Sequence, residues 1–129
     1  MGYLWGRARL GYVALREGSL PEAHQILADT IDHFHADQSR NGLAFVLDQM
    51  ASLHVMTNKA EIAAHLIGWS DATRTEIGDP RPRIEQADLD RDVAAIKAKI
   101  GAAAYEMAYT TGQALTLDEV VALATGAKS

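Results

Sequence analysis

The chain of 129 residues is 48% hydrophobic and 22% charged, which is ordinary for a globular protein and sufficient for one domain with a core. Its net charge of −5 at pH 7 would repel phosphate backbones, so we expect no nucleic-acid binding by this chain alone. The absence of cysteine, of signal-peptide features and of any membrane-spanning apolar run predicts a cytoplasmic protein without disulfides or membrane contact.

The composition and the spacing of apolar residues predict an all-α fold. Alanine is abundant and runs of strand-forming residues are absent, which favours helices. In the first helix, Leu4, Ala8 and Leu15 follow helical spacing, and Gly18 is the residue type that ends a helix in the left-handed conformation. Gly11 lies inside that helix, where we expect a neighbouring helix to approach closely. Seven helices are predicted, over about 3–17, 19–37, 42–56, 58–77, 85–100, 102–111 and 117–125.

The chain contains an internal repeat. The stretch 58–67 repeats the stretch 18–27 at an offset of 40 residues, so that Gly18 aligns with Asn58 and Ala23 with Ala63. Such a repeat, built from helix pairs, is typical of a solenoid. We therefore predict antiparallel helix pairs that stack as a short solenoid.

Three motifs of the form Ser/Thr/Asn-x-x-Glu predict helix starts with a capping box. In such a box the first side chain accepts a bond from a backbone N–H of the helix, and the glutamate reaches back to the first residue. The last motif has the strongest signal, because Leu115 can also pack on Val120. The motifs are Ser19 with Glu22, Asn58 with Glu61, and Thr116 with Glu119.

A proline-rich turn over residues 78–84 interrupts the helical pattern. Pro80 and Pro82 force the residues before them into extended conformations. Arg81 and Arg83 lie on this stiff turn, where they could bind an anionic group; we expect them to pair with nearby Glu85 and Asp88 instead. We predict a single domain over 1–129, with two repeat-like helix pairs in 1–77, the turn, and capping helices in 85–129.

The first helix pair resembles the tetratricopeptide repeat in its pattern of large and small residues, namely Leu10, Gly11, Ala14, Gly18, Ala23 and Leu27. The chain as a whole resembles the C-terminal helical-repeat region of large bacterial regulators. These include LuxR-type transcription factors with an ATPase core and class III nucleotide cyclases fused to predicted ATPases. In that group a block like A-E-I-A-A-H-L-I-G-W-S-D-A precedes a Gly-Pro-rich turn, a helix and a tail like A-Y-E-M-A-Y-T-T-G-Q-A-L-T-L-D-E-V-V-A-L-A, a layout that residues 58–125 match.

The resemblance implies a signalling scaffold. The chain has no G-x-x-x-x-G-K-[S/T] phosphate loop, and its spacing gives no nucleophile–base set or catalytic carboxylate pair. Any ATPase, cyclase or DNA-binding activity would belong to upstream or partner modules. We therefore expect a non-enzymatic module without a cofactor, which presents a groove to a peptide, a helix or a sister subunit. The alternative is a small-molecule sensor with an apolar pocket near Trp69, Tyr105 and Tyr109.

Several other residues allow a functional or a structural interpretation. Asp29, His33 and Asp37 lie at i, i+4 and i+8 and could share a metal ion, but we expect a solvated helix face with an Asp–His pair. His54 is expected to be a hydrogen-bonded histidine in or beside the core. Trp69 is large enough to anchor a ligand, but its helical spacing favours the core.

The first helix carries more large apolar residues than one side of a helix can bury, and it begins without a capping residue. In a longer protein the surplus would meet a preceding repeat. In isolation we expect a homodimer through this helix, which Trp5→Glu should disrupt. The residues expected at interaction surfaces are Tyr3, Leu4, Trp5, Tyr12, Trp69, Arg81 and Arg83.

Overall fold

The computed structural model describes residues 2–126, with side chains from Trp5 onward. Over this range the regular secondary structure is all helix, without a strand, which confirms the predicted all-α class with seven helices. None of these helices is both long enough and apolar enough to cross a membrane. The helices are α1 (Gly2–Arg16), α2 (Leu20–Ala36), α3 (Arg40–Met56), α4 (Ala60–Ile77), α5 (Arg83–Ile100), α6 (Ala102–Gln113) and α7 (Leu117–Thr125).

The first four helices end in the same way. Each is followed by a residue with positive φ: 83° at Gly18, 57° at Gln38, 67° at Asn58 and 68° at Gly78. A left-handed residue stops the helix and turns the chain back. Gly18 and Asn58 therefore share a backbone conformation, and Gln38 is a further such position that the sequence pattern did not reveal.

Two of the three predicted capping boxes are wrong. Ser19 precedes α2, but its side chain makes no capping hydrogen bond. The residue that precedes α4 is Lys59, not Asn58, because Asn58 adopts the left-handed conformation that ends α3. The third box is confirmed: the Thr116 hydroxyl accepts a bond from the Glu119 N–H at 3.1 Å, and the Glu119 carboxylate accepts one from the Thr116 N–H at 2.9 Å.

Packing follows the chain order through the first four helices, with α1 on α2, α2 on α3 and α3 on α4. Helix α6 then packs along α4, and α7 lies across α2, α3 and α4. Helix α5 lies against α3, α4 and α6. The helix α3 therefore has neighbours on several sides, and its residues Leu43, Val46, Leu47 and Met50 are fully buried.

Helices α4 and α6 touch through their backbones at two glycines. A Cβ built at Gly68 would lie 2.1 Å from the Tyr109 carbonyl oxygen, and one at Gly112 would lie 2.0 Å from the His65 carbonyl oxygen. Neither position therefore accepts a side chain unless the helices move apart. The prediction for Gly11 is also confirmed, because a Cβ there would lie 2.5 Å from the Leu27 side chain.

Candidate functional site

A groove of about 500 Å³ runs between α1 and α5, with α3 beneath it. Its rim carries exposed apolar side chains, Val13 on α1 and Ile84 on α5, which are 47% and 74% exposed. Isolated exposed apolar residues are common, but here two of them flank one concave surface. The lining residues are Arg9, Tyr12, Val13, Leu15, Phe45, Asp48, Gln49, Pro82, Ile84, Glu85, Asp88, Leu89 and Asp92.

Helix α5 contributes a row of carboxylates to this groove. Glu85, Asp88 and Asp92 lie at i, i+3 and i+7, which places them on one helix face. The Tyr12 hydroxyl donates to Asp88 at 3.1 Å across the groove, and the Ser52 hydroxyl donates to Asp92. Burial raises the pKa of both Glu85 and Asp92, and also that of Tyr12, whose bond to Asp88 adds to the effect. The groove is therefore acidic and partly desolvated.

The floor of the groove contains an amide without a hydrogen-bond partner. Gln49 is only 6% exposed, and neither its Nε2 nor its Oε1 is hydrogen-bonded to any of the described residues. An unpaired buried amide costs about 1–3 kcal/mol. The groove therefore holds a donor and an acceptor that a bound group could satisfy.

One end of α5 is held by a buried ionic cluster. Arg81 donates to both carboxylate oxygens of Asp48, from Nε at 2.8 Å and from Nη2 at 3.1 Å, and it also pairs with Asp71. Burial alone would lower the pKa of Arg81, but its bonds with Asp48 and the charges of Asp48 and Asp71 raise it overall. Arg74 joins the same cluster, 3.4 Å from Asp48 and 3.8 Å from Glu85. Arg81 is thus a structural residue that fixes the proline-rich turn on α3 and α4.

This arrangement corrects the expectation that Arg81 pairs with Glu85 or Asp88. Glu85 is paired with Arg74 instead, and Asp88 with Arg91. Arg83 is exposed and begins α5, so the turn is shorter than predicted.

The aromatic residues proposed for a sensor pocket lie mainly in the core. Trp69 and Tyr105 are each 5% exposed, and the Tyr105 and Tyr109 rings lie 5.7 Å apart. Burial raises the pKa of Tyr105 to about 12. The Tyr109 hydroxyl donates to Asp71 at 2.6 Å, beside a polar depression at the proline-rich turn. These three side chains therefore fill space and do not surround a common apolar pocket.

The first helix differs from the prediction in which residues it exposes. Trp5 is half-buried and packs on Phe34 and Phe45, with ring centroids 5.3 Å apart in both pairs. From Trp5 onward, the large apolar residues of α1 that remain exposed are Leu10 and Val13. The side chains of Tyr3 and Leu4 lie outside the described residues. Dimerisation through α1 stays a prediction, and Leu10→Glu would test it by light scattering without disturbing the core as Trp5→Glu would.

His33 and His54 each lie within hydrogen-bond distance of a backbone carbonyl oxygen. His33 Nδ1 lies 2.9 Å from the Asp29 carbonyl oxygen and 3.8 Å from the Asp29 carboxylate, so the expected Asp–His pair is present, and the same carboxylate also pairs with Arg7. Within residues 2–126, no three histidine, aspartate or glutamate side chains are grouped so as to hold a metal ion. His54 is buried, as predicted, and its Nε2 lies 3.1 Å from the Ala124 carbonyl oxygen.

Among the residues predicted at interaction surfaces whose side chains the structure describes, Tyr12 alone lines the groove. Sequence reasoning did not identify Gln49 or the carboxylate row of α5. The carboxylate row could have been found from the sequence, because the spacing of Glu85, Asp88 and Asp92 places three carboxylates beside the apolar Leu89 on one helix face. No sequence pattern marks Gln49, since one glutamine inside an apolar helix is common and its neighbours in space are not visible in the sequence.

The groove, its carboxylate row and its unpaired amide define the candidate site by geometry alone. Comparison of the chain with protein-family models, with curated proteins and with solved structures found no match.

Proposed function

We propose that this chain is a non-enzymatic protein-interaction module and that the groove between α1 and α5 is its binding surface. The observation that carries this proposal is the concave surface flanked by exposed Val13 and Ile84. A peptide that covers both side chains would remove apolar surface from water and gain about 25 cal/mol for each Å² buried. The bonds between Arg81 and Asp48 fix the start of α5 on α3 before binding, which reduces the cost of ordering this side of the groove.

The wider role follows from the resemblance to helical-repeat regions of bacterial regulators. We propose that the module belongs to a signalling or transcriptional regulator, in which other modules supply the output. The small-molecule alternative gains no support from Trp69, Tyr105 and Tyr109, because the first two are buried in the core and Tyr109 packs against it beside a polar depression, not an apolar pocket.

Selection of a phage library that displays random peptides tests this proposal. We expect recovered peptides to bind the wild-type chain and to lose affinity for Ile84→Gln, which removes apolar surface from the groove rim. The matched control is Met107→Gln on α6, because Met107 is 73% exposed and lies outside the groove lining. Failure to recover any peptide, or equal loss in both variants, would contradict the proposal.

A further inference from the structure

We propose that the groove binds an extended peptide segment that carries a lysine or arginine next to an apolar residue. This inference rests on the proposed function and specifies the partner of the same site. Three features support it independently: the charge of the groove, the unpaired amide at its floor and the apolar rim.

The charge of the groove favours a basic ligand. Asp92 accepts a bond from Ser52 but has no ion-pair partner among the described residues. Asp88 lies one turn away, and its partner Arg91 is 66% exposed on the same helix. Arg9 is the single basic residue among those that line the groove. A cation that reaches Asp92 would therefore meet a carboxylate without an ion-pair partner among the described residues, whose charge Arg16 and Arg91 offset only from a distance.

The amide of Gln49 favours a peptide over a simple amine. The side chain offers one acceptor oxygen and a donor NH₂ group. A main-chain residue in an extended peptide presents both an N–H and a C=O, which can pair with such an amide. A small polyamine would neutralise Asp88 and Asp92 but would leave the Gln49 oxygen without a donor suited to its position. The buried position of the amide means that the peptide has to part the side chains above it.

The same amide favours an extended segment over a helix. Inside a helix the main-chain N–H and C=O groups are bonded to each other and are not free for Gln49. In an extended chain they are free, and alternate side chains point to opposite sides. One side chain can then contact Val13 or Ile84 while a neighbour reaches the carboxylates of α5.

The test uses the peptides selected on the wild-type chain and measures their affinity for variants by fluorescence anisotropy. We expect Lys or Arg to be enriched beside apolar residues. Affinity should fall about tenfold or more for Asp88→Asn and for Asp92→Asn. Asp90→Asn is the matched control, because Asp90 is exposed on the same helix outside the groove and should bind as wild type. Raising the salt concentration should weaken binding to wild type more than to the Asp88→Asn/Asp92→Asn double variant.

Gln49→Met tests the amide separately. Methionine keeps the shape of the side chain and removes both hydrogen-bonding groups, so affinity should fall while the fold is retained in a urea melt. Unchanged affinity in this variant would overturn the role of the amide. Recovered peptides that are neutral or acidic, yet lose binding in Ile84→Gln, would overturn this inference and leave the proposed function standing. Peptides that bind Ile84→Gln as well as wild type would overturn the proposed function itself.

Discussion

Helices α5 and α6 both pack on α4, but they do so in opposite ways. Helix α6 meets α4 at Gly68 and Gly112, where backbone touches backbone. Helix α5 is joined through side chains, with Glu85, Asp88 and Asp92 bonded to partners on other helices, and it leaves a groove beside α1. The contact between α4 and α6, called the crossing below, is closely packed. The groove, in contrast, retains unpaired polar groups that lower the stability of the fold. This difference is the general pattern of a rigid scaffold that carries a less stable binding surface.

The largest effect should come from breaking the crossing. Gly112→Ala places a methyl group against the His65 carbonyl oxygen, which belongs to a helix backbone and cannot rotate away. We expect a loss of about 3 kcal/mol or more in the free energy of unfolding, measured by urea melts. The control is Gly6→Ala in α1, where a Cβ meets nothing within 4 Å and alanine should stabilise the helix. Equal melts for wild type and Gly112→Ala would show that the two backbones are not in contact.

A change in the groove should act in the opposite direction. Gln49→Met removes an amide that has no partner among the described residues, so the free energy of unfolding should rise by about 1–2 kcal/mol. Gln25→Met is the control, since Gln25 is exposed and the same substitution there should be nearly neutral. If Gln49→Met destabilises the chain, the amide has a structural partner and the contrast between the two regions is weaker.

A smaller loss is expected at the start of α7, the helix that covers α2, α3 and α4. Thr116→Ala removes the acceptor for the Glu119 N–H and should cost about 1 kcal/mol in a urea melt. Thr110→Ala, in an exposed position of α6, is the control and should not destabilise. A melt of Thr116→Ala that coincides with wild type would contradict the role of the cap.

The smallest effect should be a pH dependence of the stability of the fold, which arises at His54, where α3 contacts α7. Because the Ala124 carbonyl only accepts, His54 Nε2 carries the proton, and Nδ1 has no partner among the described residues. Burial lowers the pKa of His54 overall; the bond to the Ala124 carbonyl opposes this shift, and the charges of Lys59 and His24 add slightly to it. The unfolded chain protonates this histidine near its ordinary value of about 6.5, before the folded chain does. The stability that His54 contributes is therefore present above that pH and is lost as the pH falls below it.

His54→Gln provides the comparison for this effect, because glutamine can donate to Ala124 but does not titrate. Between about pH 7.5 and about pH 6, the urea midpoint of wild type should fall more than that of His54→Gln. Burial raises the pKa of Glu85 and Asp92, so these two carboxylates also make the stability depend on pH. Their effect falls at lower pH and has the opposite sign, because protonation of a buried carboxylate favours the folded chain. The window between about pH 6 and about pH 7.5 therefore separates the contribution of His54 from theirs. A wild type that loses no more than the variant would show that His54 titrates normally.

The sequence predicted the helices well, because helix formation depends on residues within a turn or two of each other. It failed where one residue could serve two neighbouring helices. Asn58 fits the pattern of a cap for α4, but it adopts the left-handed conformation that ends α3. Gln38 adopts the same conformation without being glycine or asparagine, so its local signal was weak.

The groove was beyond prediction for a different reason. It depends on the distance between α1 and α5, which are joined by contacts such as Tyr12 to Asp88 that link residues 76 positions apart. Local spacing likewise suggested Glu85 as the partner of Arg81, whereas the actual partner Asp48 lies on α3. Neither the lining of a concave surface nor the pairing of a buried charge follows from neighbours in the chain.

The position of α7 has a consequence for how the chain folds. Helices α1 to α4 pack mainly on their sequence neighbours, so these contacts close short loops and form early. The bonds that dock α7 are different: His35 to Asp118 spans 83 positions, and His54 to Ala124 spans 70. Closing such long loops costs more chain entropy before any contact is gained. We expect the docking of α7 to be the slow, final step, which completes the core only after the other helices are in place.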